Sequence, residues 1–315
     1  MSPEYRTYTE TVLKPWVREH VEQSSLITED GVRLHCCHAV PVNPKGCIVM
    51  IHGFCEFFGK YHETAYRFYE AGYAICFAEL RGHGKSERMR YYPDQRVYVR
   101  SFQDYVLDAR ALVRYAQECH PSLPLFLFAH SMGGTVGALY LEQNPEVFQA
   151  AVLSSPMLQM NYGSVPDEAV GLLAVYSRAV SLDDPYAPGQ HVFTGEDEFE
   201  TSSAMDRDRY EYQMEQRRED PSFQTWGATW SWAKAAREGA SEAVKHAEEI
   251  TTPVLVLQAG KDTMVKPEGQ ETFVKNCPAA RLRKFGNSRH EIFNSKAETR
   301  KEYYSCILDY FAEHC

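Results

Sequence analysis

Short unbroken apolar runs alternate along this chain with longer stretches in which apolar residues return every third or fourth position, and that alternation predicts most of its elements. Cys47-Ile-Val-Met-Ile51 has no polar interruption, as expected of a strand covered on both faces. A helix near 61–71, ended by Gly72, and a second buried strand from Tyr73 to Ala78 follow it. Ser101-Phe-Gln-Asp104 reads as a capping box for a helix in which Tyr105, Ala109, Leu112, Val113 and Ala116 share one face. Leu125-Phe-Leu-Phe128 is a third buried strand. The residues from Thr135 onward have helical spacing, Asn144-Pro145 ends that helix, and Ala150-Ala-Val-Leu-Ser-Ser155 is a fourth strand. Pro253 to Gln258 and Arg281 to Phe285 give two more. A helix near 297–313, with Tyr303, Ile307, Tyr310 and Phe311 along one side, closes the pattern.

Two stretches depart from it. Near the N-terminus, Ser25-Leu-Ile-Thr28 and Val32 to Ala39 flank Glu29-Asp-Gly31, a hairpin signal. From 159 to 248 the chain is charged and aromatic, contains Trp226, Trp230 and Trp232, and has helical patches at Met205 to Arg218 and Trp230 to Arg237. The expected architecture is therefore α/β: a mostly parallel central sheet flanked by helices, with right-handed crossovers and functional groups at the carboxyl ends of the strands. Residues 1–158 and 249–315 form its core, and 159–248 an inserted helical cap.

Composition narrows the function classes. At 315 residues, 44% hydrophobic and 24% charged, the chain can bury a substantial core. A formal charge of -10 repels nucleic acid, which is not an expected partner. The N-terminal residues carry no apolar leader, and no run approaches the roughly 18 apolar residues of a membrane span, so the expectation is a soluble, cytoplasmic protein. Nine cysteines, an odd number, read as reduced, mostly buried thiols. His35-Cys36-Cys37-His38 looks like a ligand set, but strand side chains alternate between faces and cannot all reach one ion, so no metal is expected there.

The chemistry converges on Ser131. In Leu125-Phe-Leu-Phe-Ala-His-Ser-Met-Gly-Gly134 a strand must turn sharply into a helix with the serine at the bend, where its hydroxyl is lifted to the top of a sheet. The plain alternative is a helix N-cap serine followed by packing glycines. A serine nucleophile needs an imidazole held by a carboxylate. Asp262 follows the strand ending at Gln258 and His290 follows the strand ending at Phe285, in the order Ser, Asp, His. Taken singly, Asp262 is a surface-turn residue; the joint placement makes it a candidate. Backbone N–H groups of Met132, next to the nucleophile, and of Phe54, in the loop Ile51-His-Gly-Phe-Cys-Glu56, are the candidate oxyanion donors. Gly84-Lys-Ser86 lacks the first glycine of a phosphate-binding loop, and Ser231-Trp-Ala-Lys234 lacks its companion motifs; neither carries a site.

His52-Gly-Phe-Cys-Glu-Phe-Phe-Gly-Lys-Tyr61, Arg81-Gly-His-Gly-Lys-Ser86, Ala129-His-Ser-Met-Gly-Gly134, Gly260-Lys-Asp262 and His290-Glu291 together resemble the monoacylglycerol lipase and lysophospholipase branch of the α/β-hydrolase superfamily. Val99 to Asp108 and His290 to Tyr310 resemble lysophospholipases of the L2 type. The resemblance implies a Ser131, Asp262, His290 triad, Phe54 and Met132 as oxyanion donors, and hydrolysis of single-chain acyl-lipid esters without a cofactor; transient contact of the cap with a membrane surface is left open by the sequence. A short-chain carboxylesterase and a non-enzymatic ligand-binding protein on the same fold remain alternatives. Ala129 in place of glycine and Glu79 in place of aspartate depart from the family pattern, and the cap has no recognisable match.

Overall fold

In the computed structural model, residues 1–88, 95–163, 165–180, 184–187 and 189–315 are described; the gaps at 164, 181–183 and 188 fall within the 159–248 segment. The chain opens with an arm absent from the apolar pattern: α1 (Pro3–Tyr8), a π-turn at Thr9–Leu13 and α2 (Lys14–His20). Only a few of its side chains are buried, among them Trp16, which meets Tyr66 and Tyr69 edge-on with centroids 5.5 Å apart. The hairpin follows as β1 (Glu22–Ile27) and β2 (Arg33–Ala39), with Ile27 opposite Arg33. The first strand starts three residues before its expected position, because it is a largely exposed edge whose polar residues carry no apolar signal.

Next come β3 (Gly46–Ile51), α3 (His62–Glu70), β4 (Tyr73–Ala78), α4 (Phe102–Cys119), β5 (Leu125–His130), α5 (Met132–Gln143) and β6 (Ala150–Ser154). After β6 the chain makes α6 (Asp167–Val180), α7 (Arg207–Glu219) and α8 (Trp230–Lys245), then returns through β7 (Val254–Ala259), α9 (Pro267–Asn276), β8 (Ala280–Phe285) and α10 (Ala297–Ala312). The eight strands lie in one sheet in the order β1-β2-β4-β3-β5-β6-β7-β8, antiparallel at β1–β2–β4 and parallel elsewhere. This is the helix-flanked, mostly parallel sheet that the alternation predicts.

Every residue of β3 to β7 is buried, which explains their unbroken apolar runs. One face packs under α4, α5 and α8, with Leu112, Val136, Leu139 and Ala236; the other packs under α2, α3 and α10, with Trp16, Phe68, Tyr303 and Phe311. At ~1.5–3 kcal/mol for each fully buried large side chain, Phe77, Phe126 and Phe128 bind the sheet firmly to that second layer. Although α8 lies within 159–248 and touches α6, it also packs against α4, α5 and α9, helices that flank the sheet.

Candidate active site

The β5–α5 junction builds the site from local geometry. Ser131 takes φ 53° and ψ −118°, a strained conformation for a side-chain-bearing residue. The bend is possible because its neighbours are small: a Cβ on Gly133 would lie 2.5 Å from the carbonyl oxygens of Ile51 and His52, and one on Gly134 would lie 2.6 Å from Pro156 Cβ. Ser131 is tied down on both sides, its N–H donating to Ser154 O at 3.0 Å and its carbonyl accepting from Met157 N at 2.9 Å. Ala129 in place of glycine is accommodated from across the elbow. A Cβ on Gly137 would stand 3.2 Å from that of Ala129, so the glycine at 137 leaves room for the Ala129 methyl.

The loops after β7 and β8 bring the other two residues to the serine. Asp262 uses Oδ1 to accept from the N–H groups of Met264 (2.8 Å) and Val265 (3.1 Å), and Oδ2 to accept from His290 Nδ1 at 2.7 Å. His290 Nε2 lies 2.8 Å from Ser131 Oγ. Ser155 Oγ, at the end of β6, donates to the His290 carbonyl at 2.8 Å and fixes that loop. Burial disfavours the charged ring of His290, but the Asp262 carboxylate outweighs it, and the pKa lies above the ordinary histidine value. Burial likewise pushes the Asp262 pKa up, yet His290 and the two N–H donors hold it below the usual carboxylate range.

The two sequence-predicted oxyanion donors come from the helix after Ser131 and from the loop after β3. Met132 is the first residue of α5, where N–H groups have no intrahelical acceptor. Phe54 is aimed by its neighbour. His52 Nε2 accepts from Leu80 N at 2.8 Å, so Nδ1 carries the proton and donates to Gly53 O at 2.7 Å. The Gly53 carbonyl and the Phe54 N–H are opposite ends of one planar peptide, so holding the first directs the second away from His52. Among the described residues neither N–H donates to a protein acceptor.

Behind that loop lies a group of residues that the sequence reading missed. Lys60 Nζ donates to Glu56 Oε1 and to Glu291 Oε1, each at 2.6 Å, with all three side chains buried. Glu56 also accepts from Gly53 N at 2.6 Å and from the Tyr61 hydroxyl, and Glu291 accepts from Asn294 Nδ2 at 2.7 Å. The chain of charges thus joins the Phe54 loop to the residue after His290. Burial opposes each charge, but Glu291 and Glu56 raise the Lys60 pKa, and Lys60 with His130 lowers that of Glu56. The signal was present in Glu56-Phe-Phe-Gly-Lys60, but opposite charges four apart read equally as a surface helix pair. His130 turns away from the nucleophile, its Nδ1 3.1 Å from Ser154 O.

The segment after β6 closes over the loop. Arg217 of α7, buried among the rings of Phe57 and Trp226, donates to the carbonyls of Cys55, Phe223 and Thr225. Trp232 of α8 packs on Phe54 with centroids 4.1 Å apart and donates from Nε1 to the Tyr105 hydroxyl at 3.2 Å. With the site shut, Ser131 is 8% exposed and His290 5%. Glu79 fits because a side chain on Gly84 would overlap its carboxylate; instead Glu79 accepts from Phe58 N at 3.0 Å and Lys85 N at 2.6 Å. Among the described residues, one group of His and Cys ligand atoms converges, His38, Cys76 and His120, and it lies away from Ser131.

Comparison with known proteins agrees with this geometry. Residues 42–297 match the profile of the family described as serine aminopeptidase, S33. The chain is 28% identical over 254 residues to a monoacylglycerol lipase of Mycolicibacterium smegmatis, covering 80% of this chain and 83% of that protein. It is 26% identical over 274 residues to lysophospholipase L2 of Escherichia coli, covering 85% and 80%. A soluble variant of the Saccharomyces cerevisiae monoglyceride lipase, solved with a substrate analogue, shares the fold with a TM-score of 0.74 at 18% identity, covering 93% of this chain and 95% of that one.

Proposed function

The chain belongs to the serine aminopeptidase S33 family of α/β-hydrolases, in the branch of the monoacylglycerol lipases and lysophospholipases, and from that premise we propose that it hydrolyses esters of single-chain acyl lipids through an acyl-enzyme on Ser131. The observation that carries this reading is the continuous hydrogen-bonded chain from Asp262 through His290 to Ser131 Oγ, beside two unengaged N–H groups. In the first half-reaction His290 takes the Ser131 proton, Oγ attacks the ester carbonyl, and the carbonyl oxygen gains its negative charge between Phe54 N–H and Met132 N–H. His290 then gives the proton to the departing alcohol. Water repeats the sequence on the acyl-enzyme and releases the fatty acid.

Residues 159–248 act as the cap in this scheme, with α6 and α7 as the parts outside the sheet-flanking helices. Leu172, Val175 and Tyr176 stand on one face of α6 at 76%, 60% and 67% exposure, which supports transient contact of the cap with a lipid surface. Nine unpaired thiols, Cys47 and Cys76 with Sγ atoms 3.7 Å apart among them, support a reducing, cytoplasmic setting.

The test has two parts. A fluorophosphonate should label the pure protein at Ser131 and fail to label Ser131→Ala. Across p-nitrophenyl esters from four to ten carbons, kcat/KM should climb, because each buried methylene is worth about 0.8 kcal/mol and six of them about 5 kcal/mol. Labelling with a rate maximum at acetate or butyrate would make the protein a short-chain carboxylesterase, and no labelling would make it a ligand-binding protein.

A further inference from the structure

We infer that His38, Cys76 and His120 form a zinc-binding site on the sheet face covered by α4, remote from Ser131. The sequence reading dismissed His35-Cys36-Cys37-His38 because its side chains alternate, and the fold does separate them. Cys36 and His38 share one face of β2, and His35 and Cys37 share the other. What the sequence did not reveal is the company His38 keeps. In the antiparallel register His38 stands directly opposite Cys76 of β4, so the two side chains emerge side by side. The last turn of α4 crosses that face and delivers its C-cap residue, His120, to the same point. His38 Nε2 and His120 Nε2 are 2.8 Å apart, and one nitrogen of each ring and Cys76 Sγ all lie within 4.8 Å of one another.

Two imidazole nitrogens and a thiolate suit zinc. Around a tetrahedral ion with the usual bond lengths, two nitrogens sit ~3.3 Å apart and a nitrogen and a sulfur ~3.6 Å apart. The two imidazoles therefore part by about half an ångström as the metal enters, and the thiol closes by no more than about 1.2 Å. The surroundings match such a site. His38 Nδ1, the nitrogen turned away from the cluster, has the Tyr115 hydroxyl at 3.5 Å, the kind of outer partner that holds a ligating imidazole in its tautomer. Cys47 Sγ lies 3.7 Å from Cys76 Sγ, and the ion itself must draw off the thiol proton as it binds. His120 is partly exposed and gives an ion its way in, with water as the fourth ligand. On binding, Cys76 gives its thiol proton to solvent, the hydrogen bond between the imidazoles breaks, and both Nε2 lone pairs turn to the metal. The ion then joins β2, β4 and α4, and its effect falls on stability.

The test uses the full chain freed of metal by a chelator. Added cobalt(II) should give, at one equivalent, tetrahedral d–d absorption together with a thiolate-to-cobalt charge-transfer band, both removed by zinc. Zinc at about 100 times its Kd should raise the unfolding midpoint by a few degrees. Cys76→Ser should abolish the charge-transfer band. His120→Gln, at a partly exposed position where folding is secure, should weaken cobalt binding at least ~10-fold, since even outer-partner losses cost ~10–100-fold. Cys119→Ser, on the exposed neighbour, should change nothing. A wild-type protein without the charge-transfer band, a band that survives Cys76→Ser, or unchanged affinity in His120→Gln overturns the site and leaves His38 and His120 as a hydrogen-bonded pair.

Discussion

Asp262 divides its two oxygens between two tasks, backbone N–H groups on Oδ1 and His290 on Oδ2. Asp262→Asn can keep the first and loses the second, because an amide NH2 cannot accept from Nδ1–H and the imidazole is left in the wrong tautomer. The expected cost is ~10⁴ in kcat. The pH profile carries a second signature. In the proposed mechanism His290 works as a base only when neutral, and its pKa is raised above the ordinary 6.5, so kcat/KM should fall as pH drops through a midpoint above that value. In Asp262→Asn the midpoint should move down. A wild-type acid limb at or below 6.5 would count against the coupling. These residues were legible in the sequence because each follows a recognisable strand and the elbow glycines mark the bend. Glu56 and Lys60 were not, since nothing in a local pattern says that Glu291, 231 positions away, completes them.

Between elements, the Glu56–Lys60–Glu291 chain is the tie that sets the Phe54 loop against the His290 loop. Lys60→Met would leave two carboxylates buried without their cation, at a cost of ~3–5 kcal/mol, read as a lower midpoint in urea unfolding. A variant within 1 kcal/mol of wild type, by the usual ~1 kcal/mol scale of surface pairs, would show the bridge to be idle. The sign of its pH dependence follows from the shifts. Glu56 has a depressed folded pKa, so its contribution is present above the unfolded value near 4.5 and is lost as pH falls through the folded one. Lys60 has a raised pKa, so its contribution is present below 10.5 and is lost only as pH rises through the folded value. The strands were legible because buried strands have apolar runs. The N-terminal arm and α9 were not, because each buries only a few side chains, such as Trp16 and Phe273, and has no stripe to read.

At the scale of the whole molecule, the mostly parallel sheet follows from strand–helix alternation, and the hairpin edge from Asp30-Gly31. The segment over the site was harder to read. The helix itself was legible as the patch Met205 to Arg218, but not what α7 packs on: it buries Tyr210, Tyr212 and Met214, with Tyr210 and Met214 against Ala204, and its Arg217 reaches across to the Cys55 carbonyl. Arg217 is the buried contact that matters most here, because the carbonyl it holds belongs to Cys55, immediately after Phe54, the proposed oxyanion donor. One guanidinium therefore ties α7, the roof in the proposed scheme, to the loop of the proposed oxyanion cradle. Linkage makes the relation reciprocal: whatever occupies the cradle also seats the roof. A phosphonate on Ser131 should slow amide hydrogen exchange across 207–219 by about 5- to 150-fold, and Arg217→Met should abolish most of that protection. Equal exchange with and without the adduct would refute the coupling. An acyl group lodged on the serine would then draw its own shelter closed, and the interval before water enters becomes a property of helix undocking as much as of bond making.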